Sequence, residues 1–238
     1  MKSILNIILF FIDFNHKNKI INFFKYKFKD QPLVIIDVGA HIGETISLFL
    51  KNFTIKKMIC YEASQLNFNK LTKSKNFKKN NIFLNNIALG SKETELEFFQ
   101  TSESSSSTFC KIDQSSNYFK RKKNILNIFN WEKYILKSEI IKIETLKNEF
   151  NKYDLKHIDI LKIDTEGFEF DVIKGAEESL KLVNFILFEH HYDQMIIKNY
   201  KFSQINQYLR KLNFKKIIKL KMPFRKTFEY IYVNDDFK

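Results

Sequence analysis

The stretch Leu33-Val34-Ile35-Ile36-Asp37-Val38-Gly39-Ala40-His41-Ile42-Gly43-Glu44 sets the architecture of this chain. Leu33 to Val38 is a continuous apolar run apart from Asp37 near its end, as expected of a strand buried on both faces of a parallel sheet. It breaks into a turn with two glycines, and from Glu44 to Leu50 the apolar residues fall at helical spacing. The rhythm repeats outward. Met58 to Tyr61 ends at Glu62 and leads to a helix over Gln65 to Lys75, and Ile82 to Ile87 reads as a third strand. Ile158 to Ile163 ends at Asp164 and precedes a helix over Phe170 to Leu182. Phe185 to Phe188 runs into Glu189-His190-His191, a helix covers Ser203 to Leu212, and Lys216 to Leu220 and Phe228 to Val233 form a closing pair. This alternation predicts an α/β fold with a doubly wound, mostly parallel seven-stranded sheet and right-handed crossovers.

With 238 residues, 44% of them apolar, and 26 Phe, the chain has material for one large core, which excludes global disorder. Cys60 and Cys110 are its two cysteines, with no Cys-x-x-Cys pattern, so neither a disulfide framework nor a structural zinc is expected. A cytoplasmic setting is the default. The net charge of +13 comes almost wholly from lysine, since Arg121, Arg210 and Arg225 are the three arginines. Sequence-reading nucleic-acid surfaces lean on arginine for bidentate contacts, so diffuse attraction to anions is expected and a specific nucleic-acid partner is not. Ile4 to Phe14 is too short to span a bilayer, and His16 to Lys29 alternates lysines with Ile, Phe and Tyr. Residues 1–30 thus read as an amphipathic helical extension that packs on the domain or touches a membrane surface peripherally, and residues 31–238 as the domain itself.

Between Ser91 and Asn151 the rhythm breaks. Short strands at Glu95 to Gln100 and Glu139 to Ile143 flank the polar run Thr101 to Thr108, which makes 91–151 an insertion, or lid, between strands three and four. Ser104 to Ser107 fits a lid or a plain solvated loop equally well. Trp131, with Tyr118, Phe119 and Phe129, reads as packing of the insertion ahead of a sugar-binding wall.

The carboxyl ends of the strands carry Asp37, Gly39 and Gly43, then Glu62, Asn86, Asp164 and Glu166, and finally Glu189, His190 and His191. In an open α/β sheet that edge binds the ligand. Gly39 and Gly43 permit a tight turn into a helix N-terminus, but the dinucleotide pattern G-x-G-x-x-G is not met, and carboxylates at Asp37 and Glu44 would repel a pyrophosphate. They suit a ligand bearing an ammonium and a sulfonium. Glu62, at the end of the second strand, is placed to accept hydrogen bonds from ribose hydroxyls. The expected cofactor is S-adenosylmethionine, held by Asp37, Gly39, Gly43, Glu62 and Asn86.

These blocks are similar to those of the FkbM family of S-adenosylmethionine-dependent methyltransferases, from about Leu33 to Tyr192. The resemblance rests on Val34 to Gly43, on Tyr61-Glu62, on Asn85-Asn86-Ile87-Ala88-Leu89-Gly90, and above all on Leu161-Lys162-Ile163-Asp164-Thr165-Glu166-Gly167-Phe168-Glu169 followed by Val172-Ile173-Lys174-Gly175-Ala176. Ala63-Ser64, in place of the usual proline-containing turn, and Ile87, where a smaller residue is common, depart from it. The resemblance implies a class I, Rossmann-like methyltransferase sheet and O-methylation, usually of a sugar or polyketide hydroxyl. Asp164 is then the first candidate for a catalytic carboxylate, Glu166 a second acid, and His191, preferred over His190, a candidate base near its ordinary pKa of ~6.5. Asp164, Glu166, Glu189 and a histidine also make a divalent-metal set chemically possible, though no spacing demands one and no metal is predicted. A base-modifying RNA or DNA methyltransferase would share the cofactor site but should carry an Asn/Asp-Pro-Pro-Tyr/Phe block, which is absent. A non-catalytic nucleic-acid or membrane-binding protein would explain the charge and leave the acid-lined strand ends unexplained.

Overall fold

The structure is a computed structural model that describes residues 16–121, 135–223 and 225–237. Its main sheet is built from β1 (Leu33–Val38), β2 (Ile55–Tyr61), β3 (Ile82–Asn85), β8 (Ile158–Ile163), β9 (Val183–His191), β11 (Phe214–Lys221) and β12 (Thr227–Asn234), in the order β3-β2-β1-β8-β9-β12-β11. The five strands from β3 to β9 pair in parallel. The hairpin β11–β12 adds two more, with β12 antiparallel to both of its neighbours. The expected seven-stranded, mostly parallel sheet is therefore present.

Alternation along the buried strands divides the core in two. In β1, Val34, Ile36 and Val38 face one cluster and Leu33 and Ile35 the other. Consecutive side chains of a strand point to opposite faces, so a run that is apolar throughout needs a layer on each side. One layer holds α4 (Leu146–Lys152), α5 (Glu169–Lys174) and α6 (Phe202–Lys211), which contribute Phe150, Val172, Ile173, Ile205 and Leu209. The other holds a helix over 16–28, α1, together with α2 (Glu44–Asn52). Ile20, Phe24 and Phe28 recur every fourth residue along α1 and are buried in that layer, where Phe24 and Phe28 meet the edge of the Phe185 ring at 5.7 and 5.4 Å. The apolar stripe of the N-terminal extension is thus covered by the domain, with Lys25, Tyr26 and Lys27 outward. No helix among the described residues is long and apolar enough to cross a membrane.

The remaining strands belong to the insertion and its surroundings. After β3 the chain leaves the main sheet, and β4 (Ala88–Gly90), β7 (Ile135–Thr145) and β5 (Thr94–Thr101) make a separate three-stranded sheet, while β6 (Lys111–Ile112) pairs with β10 (Ile196–Ile197). The third strand ends at Asn85, two residues short of the expected Ile87, as the chain turns to pair Ala88 to Gly90 with Ile143 to Thr145. α3 (Gln65–Leu71) likewise stops short of Lys75, and the helix after β8 breaks after Lys174 into a 3-10 turn over Glu177–Leu182. β9 is longer than predicted: His190 and His191 do not follow it but lie within it, opposite Phe228 and Thr227 of β12. Phe129 and Trp131 of the aromatic group lie outside the described residues.

The order of the sheet creates a switch point. The chain moves from β1 outward to β3 and returns on the other side of β1 as β8, so the loops after β1 and β8 diverge and leave a crevice at their carboxyl ends. Asp164 N–H donates to the Val38 carbonyl at 2.9 Å and closes the two ends together. Gly39 follows with φ 84°, and a Cβ there would lie 1.8 Å from the Asp164 carbonyl oxygen. Gly39→Ala should therefore lose more than the ~1–3 kcal/mol of a strained left-handed residue, read as a lowered urea midpoint. A variant as stable as the parent would contradict this account of the turn.

Candidate active site

The crevice opens into a cavity of about 740 Å³ whose wall includes Gly39, Glu44, Glu62, Asp164, Glu166, Glu189 and His191. Its floor rests on a buried lysine. β1 and β8 pair with Asp37 directly beside Lys162, and the Lys162 ammonium lies 3.2 Å from Asp37 Oδ1 and 3.4 Å from Asp164 Oδ2. Asp37 is fully buried, and the contact from Lys162 is an ion pair off the line of a hydrogen bond, leaving both carboxylate oxygens without one. Burial raises the Asp37 pKa against the pull of Lys162. Burial would lower Lys162, but the charges of Asp37 and Asp164 outweigh it and hold the ammonium protonated.

Glu62 organises the opposite bank. Its Oε2 accepts from the His41 backbone N–H at 2.7 Å, and its Oε1 from the Ser64 N–H at 2.9 Å and Asn67 Nδ2 at 3.5 Å. One carboxylate thereby fixes the glycine turn and the start of α3, where Ser64 caps by accepting from the Asn67 N–H. Burial raises its pKa and these donors pull it back. Oε2 retains a further lone pair, and Oε1 would gain one by giving up the 3.5 Å contact from Asn67. His41, at φ 51°, bridges with its ring to Glu44 at 2.9 Å and to Ser104 Oγ at 2.8 Å, tying the insertion to the turn. Ser104 to Ser107 all line the cavity, as do Phe109 and Tyr118, so the serine run belongs to the site wall. Phe119 packs with Met195 and Ile196 instead.

Of the five residues expected around a cofactor, Gly39 and Glu62 lie on the cavity wall. Asp37, Gly43 and Asn86 stand behind it. Asp37 faces Lys162, Gly43 starts α2 from a left-handed conformation at φ 98°, and Asn86 donates its amide to the carbonyls of Glu62 at 2.8 Å and Ala63 at 3.3 Å. These three thus stand next to the lining residues and shape the wall from behind. Repulsion of a pyrophosphate would likewise come from Glu44, Glu62 and Asp164 rather than from Asp37.

Beyond the sheet edge Asp164, Glu166 and His191 do converge. His191 Nε2 lies 3.2 Å from Glu166 Oε2 and 3.2 Å from Glu189 Oε1, and its Nδ1 faces Asp193 at 3.3 Å and Thr227 Oγ1 at 3.2 Å. Burial would lower the His191 pKa, but Glu166, Asp193 and Glu189 raise it well above the ordinary imidazole value, so it is not the poised base that its unperturbed pKa suggested. Burial and the nearby Asp164 raise Glu189. His190 points the other way, among Tyr192, Tyr200 and Phe202 with ring centroids 4.8, 5.9 and 5.5 Å away. Burial, Lys198 and His191 depress its pKa to about 3.

Two residues had no role in the sequence reading. Lys162 is the charged residue inside the otherwise apolar Ile160-Leu161-Lys162-Ile163, a signal in plain sight. Glu169 is fully buried and accepts from the Gly167 N–H at 2.8 Å and the Tyr200 hydroxyl at 2.7 Å, which holds the loop that carries Glu166.

Comparison with known proteins follows this geometry. Residues 37–216 match the profile described as the methyltransferase FkbM domain. No curated protein matches. Among solved structures, magnesium protoporphyrin IX methyltransferase from Synechocystis PCC 6803 with bound SAM is 9% identical, with 92% of this chain and 77% of that chain covered and a TM-score of 0.49. A putative tRNA (m1A22) methyltransferase from Streptococcus pneumoniae, in complex with S-adenosyl-L-methionine, is 13% identical over 87% of this chain and 69% of that one, with a TM-score of 0.46. TrmK from M. capricolum with S-adenosyl-homocysteine is 11% identical over 88% and 65%, also at 0.46. At such identities these neighbours say nothing of this chain's substrate.

Two measurements check the electrostatics. Lys162→Met leaves the buried Asp37 without its counter-charge, so that its carboxyl must stay unpaired or take up a proton, and should cost about 3–5 kcal/mol, much of it recovered when Asp37→Leu is added; equal losses in the single and double variants would contradict the pairing. His190 is neutral when folded and protonated when unfolded between pH ~6.5 and about 3, so it adds nothing above that window and removes up to ~1.4 kcal/mol of stability per pH unit as the pH falls through it. His190→Phe, measured by denaturation at pH 8 and pH 5, should gain about 2 kcal/mol on its parent between the two; no change in that difference would refute the assignment.

Proposed function

This chain belongs to the FkbM methyltransferase family and is an S-adenosylmethionine-dependent methyltransferase, and we propose that it methylates a hydroxyl of a sugar, polysaccharide or glycolipid-type acceptor. When bound, the cofactor supplies a methyl group already activated by a positive sulfur. The observation that carries the assignment of the site is the pairing of Gly39, where backbone meets backbone at the switch point, with Glu62 across the turn. Gly39 presents bare backbone on the cavity wall, Glu62 offers Oε2, and Oε1 in exchange for the long contact from Asn67, to a pair of ribose hydroxyls, and the Asp164 carboxyl group stands where an ammonium and a sulfonium would lie. A cavity of about 740 Å³ is large enough for the cofactor and part of a second molecule.

The chain's own task is then to align, to exclude water and to accept a proton. The acceptor oxygen forms its bond to carbon as the carbon–sulfur bond breaks, and the hydroxyl proton must leave. Asp164, whose side chain is 35% exposed and lies 3.4 Å from the Lys162 ammonium, is the group we assign to orient that hydroxyl and take its proton. Glu166 and His191 line the same cavity. Ser104 to Ser107 and Tyr118, which line the cavity, are the groups we assign to limit water. Alignment accounts for the larger share, since effective molarities reach roughly 10⁵–10⁸ M against about 10²–10⁴-fold for a general base.

Calorimetry with S-adenosylhomocysteine should show one site per chain, with affinity at least about tenfold weaker in Glu62→Gln, in line with the loss of a charge-assisted hydrogen bond. Labelled methyl donor offered with a panel of nucleotide sugars, polysaccharides and glycolipids should place the label on a sugar oxygen. Label transferred only to RNA supplied in the same panel would overturn the acceptor assignment, and undiminished affinity in a folded Glu62→Gln variant would overturn the ribose role.

A further inference from the structure

The geometry around His191 goes beyond a pair of buried salt bridges. Its imidazole is 8% exposed, and Nε2 is a buried atom with no hydrogen bond of good geometry, although two carboxylates stand 3.2 Å from it. The other face of the ring is anchored: Nδ1 meets Asp193 and Thr227 Oγ1, and Asp193 is itself held by the Met195 N–H at 3.0 Å. A carboxylate behind one ring nitrogen, with the other nitrogen aimed at further carboxylates, is how proteins orient a histidine toward a metal ion.

The distances agree. Ligands about 2.1 Å from a cation and at right angles to one another lie about 3.0 Å apart. Glu166 Oε2 and Glu189 Oε1 stand near that spacing from Nε2, and one ligand atom from each of the three residues falls within 4.8 Å of the others. The three come from two independent elements. Glu189 and His191 are alternate residues of β9 and share a face. Glu166 sits on the loop after β8 at φ 51°, its carbonyl fixed by the Thr108 hydroxyl at 2.6 Å. All three line the cavity on the side of Asp164.

We propose that Glu166, Glu189 and His191 form a divalent-cation site at the acceptor end of the cavity, and that the acceptor it takes is one presenting two oxygens on adjacent carbons. Two carboxylates and one imidazole occupy half of a six-coordinate shell and leave adjacent positions open to the cavity. A vicinal diol fills two such positions, which fixes the reacting hydroxyl in place beside Asp164 and lowers its pKa. The choice of acceptor rests on the methyl-transfer reading; the cation site does not.

The test uses the full chain dialysed against a chelator and titrated with Mn²⁺, followed by electron paramagnetic resonance, with S-adenosylhomocysteine affinity measured calorimetrically on the same samples. The expected result is one Mn²⁺ per chain, displaced by excess Mg²⁺, with a spin-echo coupling to imidazole nitrogen. Binding should weaken roughly 10–100-fold or more in Glu189→Gln and in the less buried Glu166→Gln, with unfolding midpoints showing both variants folded. Absence of stoichiometric Mn²⁺ binding, a signal without nitrogen coupling, or equal binding in folded variants would overturn the site. If S-adenosylhomocysteine binds and Mn²⁺ does not, the cation site fails and the methyltransferase reading stands; if Mn²⁺ binds with nitrogen coupling and S-adenosylhomocysteine does not, the cation site stands and the cofactor assignment fails.

Discussion

A lysine ammonium buried between two aspartates at the centre of the sheet is the interaction on which the site depends. A lone ammonium in that position would be forced to deprotonate, and a lone Asp37 would be neutral. The two aspartates keep the ammonium protonated, and because Asp37 and Lys162 are register partners, their contact joins β1 to β8 at the place where the connectivity of the sheet separates. Lys162 also reaches Asp164 Oδ2 at 3.4 Å, so the same ammonium touches the residue at the crevice. Such a buried group is seldom the most stable choice for a core, and its value here lies in position.

The second bank follows the same logic with different atoms. Glu62 collects backbone donors from the glycine turn and from the first turn of α3, which leaves two loops rigid around one carboxylate. A surface with net charge +13 therefore encloses a cavity bordered by Glu44, Glu62, Asp164, Glu166 and Glu189. The lysines govern what approaches the protein, and the enclosed acids govern what fits inside.

Much of this is legible in the sequence because strands buried on both faces announce themselves. Leu33–Val38 and Ile158–Ile163 have the bounds that their apolar runs predict, and the residues after them fall at the crevice. The reading errs where tertiary pairing overrides local pattern. The third strand stops at Asn85, short of Ile87, ahead of Ala88 to Gly90, which take a partner in the insertion, and β9 extends through His191 because β12 offers it hydrogen bonds. Roles are harder to see than places. Asn86 is at a strand end as expected, yet its amide serves backbone carbonyls, and Lys162 is invisible to a search for catalytic types although it is the one basic residue inside its strand. No spacing along the chain reveals that Glu166, across a loop, meets Glu189 and His191.

The central claim is that the crevice between β1 and β8 holds the cofactor with its ribose at Glu62 and its sulfur directed toward Asp164. A crystal structure of the complex with S-adenosylhomocysteine tests it most directly. The account predicts both ribose hydroxyls within hydrogen-bond distance of the Glu62 carboxylate, the ligand backbone against Gly39, and the sulfur facing the Asp164 side of the cavity. Density for the ligand elsewhere on the protein, or in the crevice with the ribose turned away from Glu62, would contradict it.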